Sequence, residues 1–235
     1  MNEVFPVTGL SNREFLEKHA RPGCIGLTGG VTLVDRVIRR AERHIGTGNR
    51  WSRWSHSMVF QGRRPDGHHW VIESDMQVIR HHISLGVQEN RVSKYHDERL
   101  YTWLAVLDFH LSEAQTSLLL RGGLDLVAAH TRYSLRELLG TYIALRRPGG
   151  REEGNPLERE KSLYCSAFVQ HLFRGIGIDL APGIHEKNTA PEDISRTPVP
   201  HATWVLEREV EENRWSDLPG KIRKRVKERI RRRRA

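Results

Sequence analysis

The spacing of apolar residues predicts four helices, besides a fifth around Cys165 that is described below. Their predicted ranges are residues 11–18, 32–45, 112–130 and 134–145. In 32–45 the apolar side chains recur at the helical period with charged residues between them, so this helix is expected to face the core. The helices at 11 and 112 each open with a serine followed three residues later by Glu or Gln, the capping-box pattern. Gly122 and Gly123 mark a point where the third helix is open to a break.

Strand patterns fill most of the first half of the chain and return near its end. They cover residues 21–30, 51–60, 69–74, 77–84, 100–109 and 203–206. Turn residues 62–67 separate the second strand from the third and predict a hairpin. With that loop, antiparallel pairing sets His56 directly against Glu73 on one sheet face, and a slip of one residue would separate them. The predicted fold class is α+β, with an antiparallel sheet of at least four strands.

A further short helix, predicted over residues 162–173, begins near a cysteine. With Ser162 as the N-cap, Cys165 lies at the third helical position, where free backbone N–H groups and the positive end of the helix dipole favour a thiolate. Phe168 and Leu172 share its helix face, so the sulfur is expected to point toward the sheet. The plainer interpretation is an inert buried thiol.

A cysteine hydrolase needs a thiolate, an imidazole that exchanges protons with it, and a polar group that orients the imidazole. Cys165, His56 and Glu73 are assigned to these three roles. Cys24 is an alternative nucleophile, but it lies in a strand-like segment with no helix start beside it. The chemistry requires no metal and no organic cofactor. The histidine pairs at 68–69 and 81–82 are poor metal sites, because adjacent strand residues point to opposite faces.

Three short motifs occur in the order histidine, acid, cysteine. They are WSHSMV at residues 54–59, VIES at 71–74 and YCSAFV at 164–169. This order resembles the circularly permuted papain-like proteins of the NlpC superfamily, particularly the bacterial YiiX/YebB-like branch. PGCI at 22–25 and APEDI at 190–194 are supporting matches, so the resemblance spans roughly residues 20–200. Cys24 departs from the family pattern, which usually has Asp there.

The resemblance implies a permuted papain-like (NlpC-type) fold whose antiparallel sheet packs against the helix carrying the nucleophile. It also implies an amidase- or peptidase-like cysteine hydrolase that forms an acyl-thioester on Cys165, with His56 and Glu73 completing the triad. The expected substrate is an acyl-containing peptide, amide or lipid. Two alternatives stay open: an acyltransferase on lipid or amine acceptors that uses the same triad, and a non-catalytic ligand-binding member of the fold.

The formal net charge of +9 belongs to the end of the chain. Residues 221–235 hold ten basic side chains and one acid, whereas the other 220 residues hold 28 of each sign. The chain therefore divides into a catalytic domain, 1–217, and a basic tail, 218–235. Apolar residues every four positions predict a helical tail that binds an anionic membrane surface or nucleic acid between Lys221 and Arg234. The alternative is a solvated tail that aids solubility or packs as an ordinary terminal helix.

The cysteine content and the opening residues indicate a reducing compartment. The chain has two cysteines and no pattern of a secretory leader, and no apolar run approaches the roughly 20 residues of a membrane-spanning helix. The expected location is the cytoplasm, with peripheral attachment to a membrane through the tail as a further expectation.

Overall fold

One mixed sheet of seven strands organises the described part of the chain. The computed structural model describes residues 2–45, 50–79, 82–131, 151–152 and 163–208. The strands are β1 Glu3–Val7, β2 Ile25–Gly30, β3 His56–Arg63, β4 His69–Ile79, β5 His82–Arg91, β6 Tyr101–Asp108 and β7 Ala202–Glu207. Their order across the sheet is β1-β7-β6-β2-β3-β4-β5. Every neighbouring pair is antiparallel except β1 and β7, which run parallel.

Helices cover both faces of this sheet. They are α1 Asn12–His19, α2 Leu33–Ala41, α3 Glu113–Ala128, α4 Cys165–Gly175 and α5 Pro191–Ser195, with 3-10 turns at Glu42–His44, Val92–Tyr95 and Glu186–Asn188. The architecture confirms the α+β prediction. None of the helices in the described residues is long and apolar enough to cross a membrane.

The sheet separates two hydrophobic layers. The layer under α3 and α4 includes Ile25, Val59, Ile72, Leu107, Phe168 and Leu172. The layer under α1 includes Phe15, Met58, Phe60, Val71, Tyr95 and Val106. Consecutive residues of β3, such as Val59 and Phe60, enter opposite layers because side chains alternate along a pleated strand.

The predicted capping boxes at Ser11 and Ser112 are both present. The glycine pair does not break α3, which runs through it. A Cβ placed on Gly123 would lie 2.7 Å from the Ile72 Cδ1 atom, so the missing side chain lets α3 approach β4 closely.

The structure corrects the predicted hairpin in two ways. Strand β4 extends to Ile79 and β5 begins at His82, so the single strand predicted over 77–84 is wrong. The register also differs by two residues, because Val59 pairs with Ile72. The cause is a shorter turn, closed by the bond from the Arg64 N–H to the His68 carbonyl (2.9 Å), together with a bulge between Phe60 and Gly62.

The prediction that residues 32–45 face the core is also wrong. Helix α2 forms, but Leu33 and Val37 are 80% and 63% exposed. Its polar side contacts the body instead. Asp35 accepts from the Ser55 hydroxyl at 2.7 Å, and the Arg39 guanidinium donates to the Ser52 carbonyl at 2.8 Å. The helical period therefore predicts that an apolar face exists, but it does not predict whether that face is buried.

Strand β1 precedes every element that the sequence pattern predicts. It pairs in parallel with β7, from Glu3 opposite Ala202 to Val7 opposite Leu206. The predicted helix at 134–145 and the tail at 218–235 lie outside the described residues.

Candidate active site

Cys165 is the first residue of α4. The helix begins after Tyr164, whose extended backbone (φ −91°, ψ 174°) makes it the N-cap, so the prediction of Ser162 as N-cap and of Cys165 at the third position is wrong. Two contacts hold the preceding chain extended: the Tyr164 hydroxyl donates to the Thr189 carbonyl, and the Ser74 hydroxyl donates to the Leu163 carbonyl. No side-chain hydrogen bond caps this helix in the described chain, so the N–H groups of its first turn have no side-chain acceptor.

His56 and Glu73 come from adjacent strands. The His56 Nε2 atom lies 2.5 Å from the Glu73 Oε2 atom. Continued by one residue, the observed register puts Glu73 opposite Met58, which leaves His56 as its diagonal neighbour. The two-residue error of the predicted register preserves the face of both side chains, because the side-chain period of a strand is two. The structure therefore brings this predicted pair together.

His56 also makes a hydrogen bond with Cys165. Because Glu73 occupies Nε2, Nδ1 is the ring nitrogen left for this bond. The Ser57 backbone N–H donates to the sulfur as well, and the Ser166 hydroxyl lies 3.7 Å from it. Cys165 is only 3% exposed, so the thiol lies in a nearly dry site with a cation-forming ring on one side.

The electrostatics of the pair favour charge separation. Burial opposes the charged form of each group, but the mutual hydrogen bond and charges outweigh it. The pKa of Cys165 is lowered below its ordinary value, while the pKa of His56 is raised well above its own. Both shifts favour a thiolate facing an imidazolium over the neutral pair.

Glu73 is completely buried and receives four donors. The Tyr95 hydroxyl and His56 share its Oε2 atom, while Asn90 Nδ2 (2.7 Å) and Lys94 Nζ (2.8 Å) donate to its Oε1 atom. Burial raises the pKa of this carboxyl, but the charge of Lys94 and the bond to His56 lower it below the usual range. Glu73 is therefore anionic and holds the His56 ring in one orientation.

Sequence reasoning missed the three other donors to Glu73. Tyr95 and Lys94 lie in the 3-10 turn after β5, and Asn90 lies near the end of β5. A buried carboxylate needs several donors. The sequence alone, however, does not show which of many polar residues supply them.

A group of possible metal ligands lies in the same place. Donor atoms of His56, Glu73 and Asp75 all lie within 4.8 Å of one another. The Lys94 ammonium bridges the two carboxylates, at 2.8 Å from Glu73 and 2.5 Å from Asp75. This internal cation neutralises the acids, so the residues present do not fit a divalent metal while Lys94 is charged.

Cys24, the alternative nucleophile, lies in the opposite hydrophobic layer, among Phe15, Met58 and Phe60. Burial, reinforced by the charge of Asp108, raises the pKa of its thiol to about 12. Cys24 thus has the properties of an inert structural cysteine.

Fold and site together define an α+β protein with a cysteine at a helix start, hydrogen-bonded to a histidine that is held by a buried glutamate. No family model matches this chain, and no curated protein matches its sequence. Among solved structures it is similar to the crystal structure of metalloprotein yiiX from Escherichia coli O157:H7. The two are 12% identical, with a TM-score of 0.49 over 81% of this chain and 98% of that one. A likeness of this strength says nothing about the site.

Proposed function

We propose that this chain is a cysteine hydrolase with a permuted papain-like (NlpC-type) fold, of the YiiX/YebB-like branch, that cleaves an amide or ester bond. The observation that carries the proposal is the position of His56, which makes one hydrogen bond to Cys165 and another to the buried carboxylate of Glu73. The order of the three sequence motifs supports the same assignment.

In the first half-reaction the Cys165 thiolate attacks the carbonyl carbon of the substrate, and a carbon–sulfur bond forms. The carbonyl oxygen takes up the displaced electron pair beside the N–H groups of the first turn of α4, which stabilise its charge. His56 then gives its Nδ1 proton to the leaving nitrogen or oxygen as the bond to that atom breaks. The product is an acyl-thioester on Cys165.

In the second half-reaction His56, now neutral, removes a proton from water. The resulting hydroxide attacks the thioester carbonyl, and the sulfur leaves with the bonding electrons as a thiolate. Glu73 holds the His56 Nε2–H throughout, so Nδ1 faces the sulfur in both steps. Acyl transfer differs only here, because an amine or hydroxyl acceptor takes the place of water.

The test is direct observation of the acyl-enzyme. The protein is incubated with p-nitrophenyl esters of increasing chain length and with peptide anilides, and intact mass is measured before and after addition of hydroxylamine. We expect one acyl group on Cys165, removed by hydroxylamine, in wild type and in Cys24→Ala. Cys165→Ala is expected to carry none.

The same experiment separates the alternatives. A free carboxylic acid as the product indicates hydrolysis, whereas an acylated added amine indicates transfer. Acylation that persists in Cys165→Ala, or none with any donor, contradicts the proposed function. The second of these outcomes favours a ligand-binding protein that keeps the fold.

A further inference from the structure

A cleft of about 750 Å³ opens on the side of the sheet that α4 covers, but over different strands. Helix α4 packs on β3 and β4. The floor of the cleft is formed by β2, β6 and β7, through Leu27, Ala105, Leu107 and Val205. A concave site of this size with an apolar floor is typical of small-molecule binding.

Arginines form the rim, and we name this region the arginine cleft. Arg50, Arg53 and Arg196 line it together with one carboxylate, Glu192. Arg196 pairs with Glu192 at 2.6 Å. Arg50 and Arg53 are exposed and have no ion-pair partner within the described ranges, and the Arg53 guanidinium lies 4.6 Å from the Trp103 ring centroid. Two cationic groups are thus left for a ligand.

The other titratable groups near the cleft do not cancel this charge. His201 also lines it, and burial lowers its pKa, which favours the neutral ring. Glu42 lies behind the wall, where it accepts from the Glu192 backbone N–H, and burial raises its pKa well above the usual range. Burial favours the uncharged form of both groups, so the exposed arginines determine the charge of the arginine cleft.

We infer that the arginine cleft binds an anion with an apolar body, such as an alkyl carboxylate or alkyl phosphate. The planar guanidinium of Arg matches both anions with paired hydrogen bonds. Above the apolar floor, the exposed side chains of Trp51 and Val4 also line the cleft and offer apolar surface that removes the body of the ligand from water. A cation with the same apolar body would be repelled by the arginines of the rim, so the site is expected to discriminate between ligands by charge.

Trp54 links the cleft to the candidate active site along the chain. Trp54 lines the cleft, belongs to the same buried cluster as Cys165, and precedes His56 by two residues. The binding site stands without any chemistry at Cys165. Its use as the substrate site of that thiol rests on the proposed function.

The test compares four probes with the full chain by isothermal titration calorimetry, with quenching of tryptophan fluorescence as a second readout. They are decanoate, decyl phosphate, decyltrimethylammonium and inorganic phosphate. We expect saturable binding of the first two, weaker binding of inorganic phosphate, and none of the quaternary ammonium. Equal binding of the cation and the anions overturns the inference.

Variants locate the site. Loss of one charge-assisted contact in Arg50→Gln or Arg53→Gln is expected to weaken decyl phosphate binding about tenfold. Arg21→Gln removes an exposed arginine that does not line the cleft and is expected to bind as wild type does. Cys165→Ala is also expected to bind normally, which separates this result from a failure of the proposed chemistry. Unchanged affinity in both rim variants overturns the inference.

Discussion

At the scale of single residues, Glu73 carries the most interactions in the candidate site, because one buried carboxylate receives four donors. In Glu73→Gln, the negative charge is lost and the amide N–H₂ group faces side chains that themselves donate hydrogen bonds. We expect a loss of roughly 3 kcal/mol in the free energy of unfolding, as for other broken buried ion pairs. Urea denaturation measures it, with Glu207→Gln on the exposed end of β7 as the control. A change as small as that of the control contradicts the assigned role.

The same residue predicts a pH dependence. Its pKa is lowered on folding, so its contribution is present above the unfolded carboxyl pKa of about 4.3 and is lost as pH falls below that value. Denaturation at several pH values is expected to show a steeper acid loss in wild type than in Glu73→Gln.

Lys94 decides whether the cluster of His56, Glu73 and Asp75 binds metal. Its ammonium bridges both carboxylates, so we expect wild type to bind Zn²⁺ weakly at this cluster. In Lys94→Met the two acids lose their cation, and Zn²⁺ affinity is expected to rise. Calorimetry with Zn²⁺ measures both. Tight binding by wild type that disappears in His56→Ala would show a metal centre instead.

The sequence pattern correctly predicts that Cys165, His56 and Glu73 lie together, although the strand register used for His56 and Glu73 contains an error that leaves their sheet face unchanged. The hairpin register was wrong by two residues, and an error of one would have placed His56 and Glu73 on opposite faces. The partners of Glu73 come from β5 and the turn after it, and the strand boundary at residues 79–82 was mispredicted. Tertiary proximity of this kind is not contained in local spacing.

At the scale of elements, the close approach of α3 to β4 depends on one glycine. In Gly123→Ala the new Cβ would lie 2.7 Å from Ile72 Cδ1, whereas in Gly122→Ala the nearest atom is at 3.4 Å. Alanine favours a helix by about 1 kcal/mol at either position. Overpacking against the buried Ile72 is expected to cost about 1–3 kcal/mol at position 123 only. Thermal denaturation is expected to rank Gly122→Ala above Gly123→Ala, and the reverse order contradicts this packing.

Elements with strong local signals were predicted well. Capping boxes located α1 and α3, and apolar runs located β2, β6 and β7. Local spacing does not predict the exposed apolar face of α2 or the pairing of β1 with β7. Both depend on how segments that are distant in sequence pack against each other.

At the scale of the whole molecule, the uneven distribution of charge predicts that the tail binds anionic surfaces and that the domain carries the chemistry. Replacing the arginines at 231–234 with Gln in the full chain is expected to weaken binding to anionic vesicles and to flatten its salt dependence, since fewer counterions are released. Co-sedimentation at low and moderate salt measures this. Acylation of Cys165 is expected to be unaffected. Equal vesicle binding by both proteins would show that the tail is not an anchor.

The central claim is that His56 keeps Cys165 ionised, and the rate of alkylation by iodoacetamide tests it most directly. The measurement uses Cys24→Ala as the background, so that a single thiol is read, and compares it with the same protein carrying His56→Gln. Circular dichroism confirms that both are folded before the rates are taken between pH 5 and pH 10.

Because the pKa of Cys165 is lowered by His56, the alkylation rate in the first protein is predicted to stay high well below the ordinary thiol pKa of about 8.5. In His56→Gln the pair is lost, and the midpoint of the rate profile is predicted to move to that value or above. Identical pH profiles in the two proteins would contradict the account.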